Sequence, residues 1–238
     1  MDSSRFPGKA LASETGLPLV VHVMRQAMAA STIDRVLIAA PDQVILDAVT
    51  AHGGEAVLTR PDHPNGTSRI AEVMETLDPI YTTVVNVQGD EPEIDPAIID
   101  AVVETLRADP DAPMATIASP IESPEDLSNP NIVKVALDTQ GRALSFSRAA
   151  IPTHPDDSAA PTPPLRHVGL YAYERSFLPQ FLAWSPTPLE LTEHLEQLRV
   201  LENGCPIAVA ICPSSGEGID TPEQYTAFVN RYRATHPA

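Results

Sequence analysis

The chain has 238 residues, 43% of them hydrophobic, enough for one sizeable core. A formal net charge of -17 excludes a broad basic surface for nonspecific nucleic-acid binding, though not an anionic small ligand. No apolar run approaches a membrane span and no basic-then-apolar leader opens the chain, so a cytoplasmic protein is expected.

The first stretch, "MDSSRFPGKAL", combines small residues, Gly8 and Lys9 in the manner of a phosphate-cradling loop, before any strand or helix. Lys9 is one of only two lysines; the other is Lys134. Apolar spacing near 3.6 predicts a helix over 18–31, followed by a buried strand over 35–40. A helix over 42–53 ends at the Gly53–Gly54 pair, and a strand over 55–59 leads to a helix over 67–77. An apolar strand over 82–88 precedes a helix over 95–108, which opens on Asp95 and Pro96 as N-cap and first helical residue. This alternation predicts an α/β fold, a mainly parallel sheet with helices on both faces.

The pattern then changes. Strands are predicted over 114–121, 131–138, 142–148 and 167–173, with a hairpin turn in "LDTQGRA". They suit a mixed or antiparallel extension rather than a second wound domain. Residues 153–164, rich in Pro, Asp and Ser, read as a mobile surface loop. Residues 189–204 read as helix with a break in the middle, 206–212 as a last strand, and 221–234 as a terminal helix behind a Thr–Pro start. There is no internal repeat. Cys205 and Cys212 lack metal-ligand spacing and read as packing residues.

Four segments could carry chemistry. In "NVQGDEPEI" a strand runs into Gln88, Gly89 and Asp90, polar groups at the carboxyl end where open α/β sheets bind ligands. Asp90 there is either a metal ligand or part of an ordinary turn. In "GEGIDTPEQ", Asp220 is either a turn and cap residue or a second carboxylate converging with Asp90 on magnesium, a hard ion that takes oxygen ligands. In "HPNGTSRIAE", Arg69 sits in the first turn of a helix, where its charge opposes the dipole; it is a surface arginine or the partner of a bound anion. Finally, Arg148, His167, Tyr171, Glu196 and Gln197 offer donors and acceptors suited to a hydroxylated acid, although His167 at a strand start could equally be structural.

Taken together and in order, "SSRFPGKAL", "NVQGDEP", "FSRAAIP", "HVGLYAY", "LEQLRVLENG" and "GIDTPE" resemble the 3-deoxy-manno-octulosonate (Kdo) cytidylyltransferases over nearly the whole chain. The resemblance implies a single Rossmann-like, three-layer nucleotidyltransferase domain over 1–238. Its strand-rich extension, about 114–173, would form the sugar pocket and a dimer contact. It implies attack by the anomeric hydroxyl of Kdo on the α-phosphate of CTP, releasing pyrophosphate, for lipopolysaccharide synthesis. In this reading Ser3, Arg5 and Lys9 hold the triphosphate, Arg69 and Gln88 contact the nucleotide, and Asp90 and Asp220 hold magnesium. Gln88, Arg148, His167, Tyr171, Glu196 and Gln197 line the sugar pocket, with Arg148 near the sugar carboxylate. A cytoplasmic homodimer is implied, with no nucleic-acid or membrane partner.

Two departures from the family pattern stand out. Ser68 occupies a position that is usually acidic. The family also begins with a strand and "IPAR" ahead of the phosphate loop, whereas this sequence opens at the loop, so Met1 is not expected to be the natural start. Two rival readings follow: a cytidylyltransferase for another acid sugar of the sialic type, and a non-catalytic nucleotide-binding subunit.

Overall fold

The computed structural model describes residues 6–153, 163–213 and 218–236. A 3-10 turn, Lys9–Leu11, comes first. Then follow α1 (Leu19–Ala29), β1 (Leu37–Ala40), α2 (Gln43–Ala51), β2 (Glu55–Leu58) and α3 (Gly66–Glu75). Next are β3 (Thr83–Asn86), α4 (Pro96–Ala108), β4 (Met114–Pro120), α5 (Pro124–Ser128), β5 (Lys134–Leu137), β6 (Ala143–Ser147) and β7 (Leu165–Glu174). The chain finishes with α6 (Phe177–Ala183), α7 (Pro188–Glu193), α8 (Leu198–Glu202), β8 (Ile207–Ile211) and α9 (Pro222–Thr235). None of the described helices is long and apolar enough to cross a membrane.

Local chemistry sets these boundaries. The Asn65 side chain accepts from Ser68 N and starts α3. Thr221 and Gln224 form a capping box around Pro222 at the head of α9, and at the head of α7 the Glu190 carboxylate accepts from Thr187 N at 3.1 Å. Helices α5 and α6 were not expected from the sequence: at five and seven residues they are too short to show a helical apolar period. The expected break within 189–204 is found at His194, which ends α7 in the left-handed conformation at φ 53°.

The chain groups into two compact units: Met1–Thr76 with Val87–Ile99 and Ser215–Ala238, and Leu77–Asn86 with Asp100–Ser214. In the first, β1 and β2 pair in parallel. Val20, Val21, Met24 and Val49 form a core between α1 and α2, with Val36 and Ile38 packed against it. Gly54 is required there, because a Cβ would lie 2.1 Å from the Met24 sulfur and 2.8 Å from Val49 Cγ1. A second cluster joins Leu19 to Ile219, Tyr225, Phe228 and Val229, and Phe6 packs on it with its ring 5.6 Å from that of Tyr225. The segment before Lys9 is thereby anchored on α9.

The second unit holds a six-stranded sheet in the order β6-β5-β7-β4-β8, with β3 beside β7. Its strands fit the mixed or antiparallel extension expected over about 114–173: β4 and β8 pair in parallel, and β7 runs antiparallel to β3, β4 and β5. Over ten residues β7 spans β4 on one side and both β5 and β3 on the other. Apolar periodicity reports that a strand is buried, not which way it runs. The β5–β6 hairpin turns where expected, with Gly141 at φ 81°. β4 is buried at six of its seven positions, as a central strand should be.

Candidate active site

The first unit gathers three of the expected residues at one point. Gly8 takes the left-handed conformation at φ 72°, which a residue without Cβ adopts at no steric cost, and hands the chain into the 3-10 turn headed by Lys9. The Lys9 ammonium donates to Asp90 Oδ2 at 2.8 Å, Asp220 Oδ1 at 3.1 Å and the Ile219 carbonyl at 2.8 Å. Asp90 lies in the turn just past β3, and Ile219 N donates to its carbonyl at 2.8 Å, joining the two acidic loops. Asp220 is fixed from the other side: its amide donates to Gln224 Oε1 at 2.8 Å, part of the capping box of α9. The convergence of Asp90 with Asp220, 130 positions on, was an inference from two separate turns, and the geometry brings them together on one cation. Gln88 sits at the same strand end, half-buried, and its carbonyl accepts from Glu91 N in the turn.

Arg69 belongs to a different set of contacts in the same unit. Its guanidinium donates to Thr59 Oγ1 at 2.5 Å and to the Arg60 carbonyl at 2.9 Å, at the end of β2. Ser68 donates to the Asn65 carbonyl at 3.0 Å and lies 3.1 Å from His63 Nδ1. The other nitrogen of buried His63 bonds the Glu72 carboxylate, and this bond holds the Glu72 carboxyl below its usual range. A carboxylate is therefore present beside this helix start, supplied by Glu72 rather than by position 68. Ser3 and Arg5 lie outside the described residues, as do 154–162 of the expected surface loop and 214–217.

The second unit carries the other five. β4 and β7 pair in register except between Thr116 and Ile117, where β7 carries two extra residues. Bulges of this kind re-aim side chains. Thr116 closes this one, donating to Leu170 O at 2.8 Å and lying 2.9 Å from His167 Nε2. The rings of His167 and Tyr171, one on each side of the bulge, lie 5.4 Å apart, and Phe146 of β6 meets His167 edge-on at 4.9 Å. Burial pushes His167 down to about 3, so the imidazole is neutral at physiological pH. Burial, then the nearby Tyr173 and Glu196, push the Tyr171 phenol well above its usual range. Both are thus neutral hydrogen-bonding groups.

Arg148 follows β6. Its Nε donates to the Glu193 carbonyl at 2.7 Å and its Nη1 to the Pro130 carbonyl at 3.1 Å. Glu196 and Gln197 lie in the elbow between α7 and α8. Gln197 is only 4% exposed, and its amide nitrogen has no hydrogen-bond partner within the described structure. A buried donor without an acceptor is costly, and a polar ligand would relieve it.

Several supporting residues escaped the sequence reading. Glu193 accepts from Arg148 N at 3.0 Å and from Ser147 Oγ at 2.8 Å, bonds that hold its carboxyl below the usual range. Fully buried Lys134 donates all three ammonium protons to carbonyls, of Asn129, Ile132 and Arg148, at 2.7–2.8 Å. Burial and the charge of Arg148 lower its pKa. Arg199, within the quoted "LEQLR", forks onto Glu190 through Nε at 2.7 Å and through Nη2, and covers the Phe181 ring at 5.2 Å. It ties α8 to α7 and fixes the elbow that carries Glu196 and Gln197. A lysine flanked by valines is the one signal in the sequence that pointed to Lys134, because a charge inside an apolar strand must find partners.

Comparisons with known proteins agree on one family. Residues 1–211 match the family model described as cytidylyltransferase. A 3-deoxy-manno-octulosonate cytidylyltransferase of Syntrophobacter fumaroxidans is 48% identical over 228 residues, covering 95% of this chain and 91% of that protein. The protein of that name from Pseudomonas syringae pv. syringae is 49% identical over 230 residues, covering 93% and 90%. Among solved structures, a CMP:2-keto-3-deoxy-manno-octonic acid synthetase complexed with CTP superimposes with a TM-score of 0.92 at 36% identity, covering 98% of this chain and 94% of that one. A 4-diphosphocytidyl-2C-methyl-D-erythritol synthase from Anaerococcus prevotii, with a TM-score of 0.58 at 14% identity, shares the fold alone. The chain belongs to the cytidylyltransferase family.

Proposed function

We propose that the chain transfers a cytidylyl group from CTP to the anomeric hydroxyl of Kdo, giving CMP-Kdo and pyrophosphate for lipopolysaccharide synthesis. The observation that carries this reading is the meeting of Lys9, Asp90 and Asp220. It sits in a chain whose curated relatives bear the name of that activity.

The sugar hydroxyl oxygen forms a bond to the α-phosphorus, the bond from that phosphorus to the bridging oxygen breaks, and the hydroxyl proton is lost. Such a transfer asks little covalent chemistry of the protein; positioning and charge neutralisation do most of the work. Lys9, with Ser3 and Arg5, holds the triphosphate, and Arg69 and Gln88 contact the nucleotide. Two carboxylates and a carbonyl already gathered around one cationic nitrogen are a donor set that fits a hard divalent cation such as magnesium, held by Asp90 and Asp220. Bound there, the ion supplies charge neutralisation for the attacking and leaving oxygens.

Arg148 receives the sugar carboxylate. Its two bonded nitrogens donate to backbone carbonyls, so its side chain is oriented without a carboxylate bonded to the guanidinium. Neutral His167, Tyr171, Glu196 and the Gln197 amide, whose nitrogen has no partner among the described residues, recognise the hydroxyls. We read 1–238 as a single nucleotidyltransferase domain, with 114–173 as its strand-rich extension, supported by a family match that runs across both units. A homodimer is supported by exposed Leu144, Leu189, Leu191 and Ile211 in the second unit. The two free cysteines are in keeping with the reducing cytoplasm.

Pyrophosphate release from CTP and magnesium, with Kdo or N-acetylneuraminate as acceptor, tests this reading. Turnover with Kdo and at least tenfold less with the sialic acid is expected. Preference for the sialic acid would move the chain to the other sugar, and CTP binding without turnover would make it a nucleotide-binding subunit.

A further inference from the structure

We propose that Lys9 is a positioning residue for the carboxylate pair: it occupies the cation position between Asp90 and Asp220 in the nucleotide-free protein, so a divalent cation enters only as the triphosphate draws Lys9 away. This rests on reading the two carboxylates as cation ligands. An ammonium has three protons to donate, and here all three are engaged, by Asp90, Asp220 and the Ile219 carbonyl. None is left for a phosphate in this state. The oxygens that would surround a divalent ion are therefore aimed at a nitrogen 2.8–3.1 Å away. Magnesium needs oxygens at about 2.0–2.1 Å in octahedral array, so ion and ammonium cannot share the point.

The arrangement explains how two like charges come to rest together in the free protein. Lys9 is only 17% exposed and neutralises one of the two carboxylates, keeping both turned toward a common centre. A triphosphate offers the ammonium a denser negative partner and offers the ion additional oxygens. Each ligand thus makes the other's binding easier, and by linkage the coupling is reciprocal.

Two measurements on the full chain test the exchange. Manganese binding without nucleotide, read by electron paramagnetic resonance, is expected to be about tenfold tighter in Lys9→Met than in wild type, within the usual range of coupling between sites. The gain is expected to vanish in Lys9→Met combined with Asp90→Asn. Equal affinity in wild type and Lys9→Met, with Asp90→Asn weakening both, would overturn the exchange while leaving the carboxylates as ligands. Binding indifferent to Asp90 would overturn the ligand reading itself, and the exchange with it. The second measurement needs no variant. The chain has two lysines, so Cε-labelled lysine gives two resonances, from Lys9 and Lys134. Magnesium alone at 1:1 ratio with protein is expected to leave both in place, and magnesium with CTP to shift one. Neither signal moving on joint addition would refute the proposal.

Discussion

The charged cluster of the first unit and the pocket residues of the second solve opposite problems. Lys9, Asp90 and Asp220 stand on turns, the two carboxylates part-exposed, with full charges balanced against one another. His167 and Tyr171 stand on a strand beside a bulge, and burial keeps both neutral. The two carboxylates keep access to water, where ionisation is cheap; the two rings are desolvated, where a hydrogen bond counts for more. The buried charges of the second unit follow the same logic in reverse. Lys134 is tied down by carbonyls, and Glu190 and Arg199 are tied down by each other.

The largest expected effect breaks the buried ion pair. Arg199 is 7% exposed and Glu190 9%, so Arg199→Ala leaves a carboxylate buried without its fork. Losing one partner of a buried pair costs about 3–5 kcal/mol. Chemical denaturation should show that loss, and Arg199→Ala with Glu190→Leu should recover a substantial part of it. Full stability in the single variant would mean that the elbow does not depend on this pair.

Next come the carboxylates of the first unit. Asp90→Asn and Asp220→Asn keep the shape but remove the charge, and each is expected to lower turnover by about 10²–10³-fold, or about 2.7–4 kcal/mol, the scale of a single electrostatic group in a transition state. Circular dichroism should be unchanged, because both groups lie on turns. Near-normal kinetics at saturating magnesium in either variant would remove that residue from the metal site.

Arg148→Ala should act more narrowly. A lost charge-assisted hydrogen bond costs about 1.5–3 kcal/mol, so KM for Kdo should rise about 10–100-fold, with KM for CTP within about twofold of wild type. An equal rise in both would move Arg148 out of the sugar pocket and erase the division of labour between the units.

The sequence made the elements legible where they had a period or a cap. The helix starts at Pro96 and Pro222 and the hairpin at Gly141 needed only local chemistry. Asp90 and Asp220 were legible as polar groups at strand and helix ends. The mixed extension was legible in its run of short strands and hairpin turn, but the pairing of β7 with β3 was not, since side-chain alternation is the same for parallel and antiparallel pairing. Nor was the bulge at Thr116–Ile117, which exists only in the register between two strands. Lys134 was missed for a related reason: its partners are backbone carbonyls, which leave no mark on residue identity, and Glu193 because its partners, Ser147 Oγ and Arg148 N, lie 45 or more positions away. Ser68 was legible as a departure, but its contacts with Asn65 and His63 were not, because they depend on the fold of the loop before α3.

Per pH unit the last effect is the smallest, and it compares the two units directly. Burial lowers His22 in the first unit to about 4, with Arg25 and His236 adding to the shift, and His167 in the second to about 3. Both stand below the ordinary value of 6.5. As pH falls through 6.5 the unfolded chain takes up these protons and the folded chain does not, so the unfolded state binds more and stability declines. Their contribution is therefore complete above the unfolded value and is lost as pH drops toward the folded one, at most about 1.4 kcal/mol per pH unit for each proton. For His22 the decline should level off near pH 4, and for His167 nearer 3. Urea midpoints between pH 7 and 4 should fall in wild type more steeply than in His167→Gln, whose amide does not titrate in this range. His22→Gln should flatten the upper part of the same curve. Identical slopes in wild type and His167→Gln would mean that the imidazole takes up its proton at the same pH folded and unfolded, and the contrast between a desolvated pair and a charged cluster would fail at its best-defined residue.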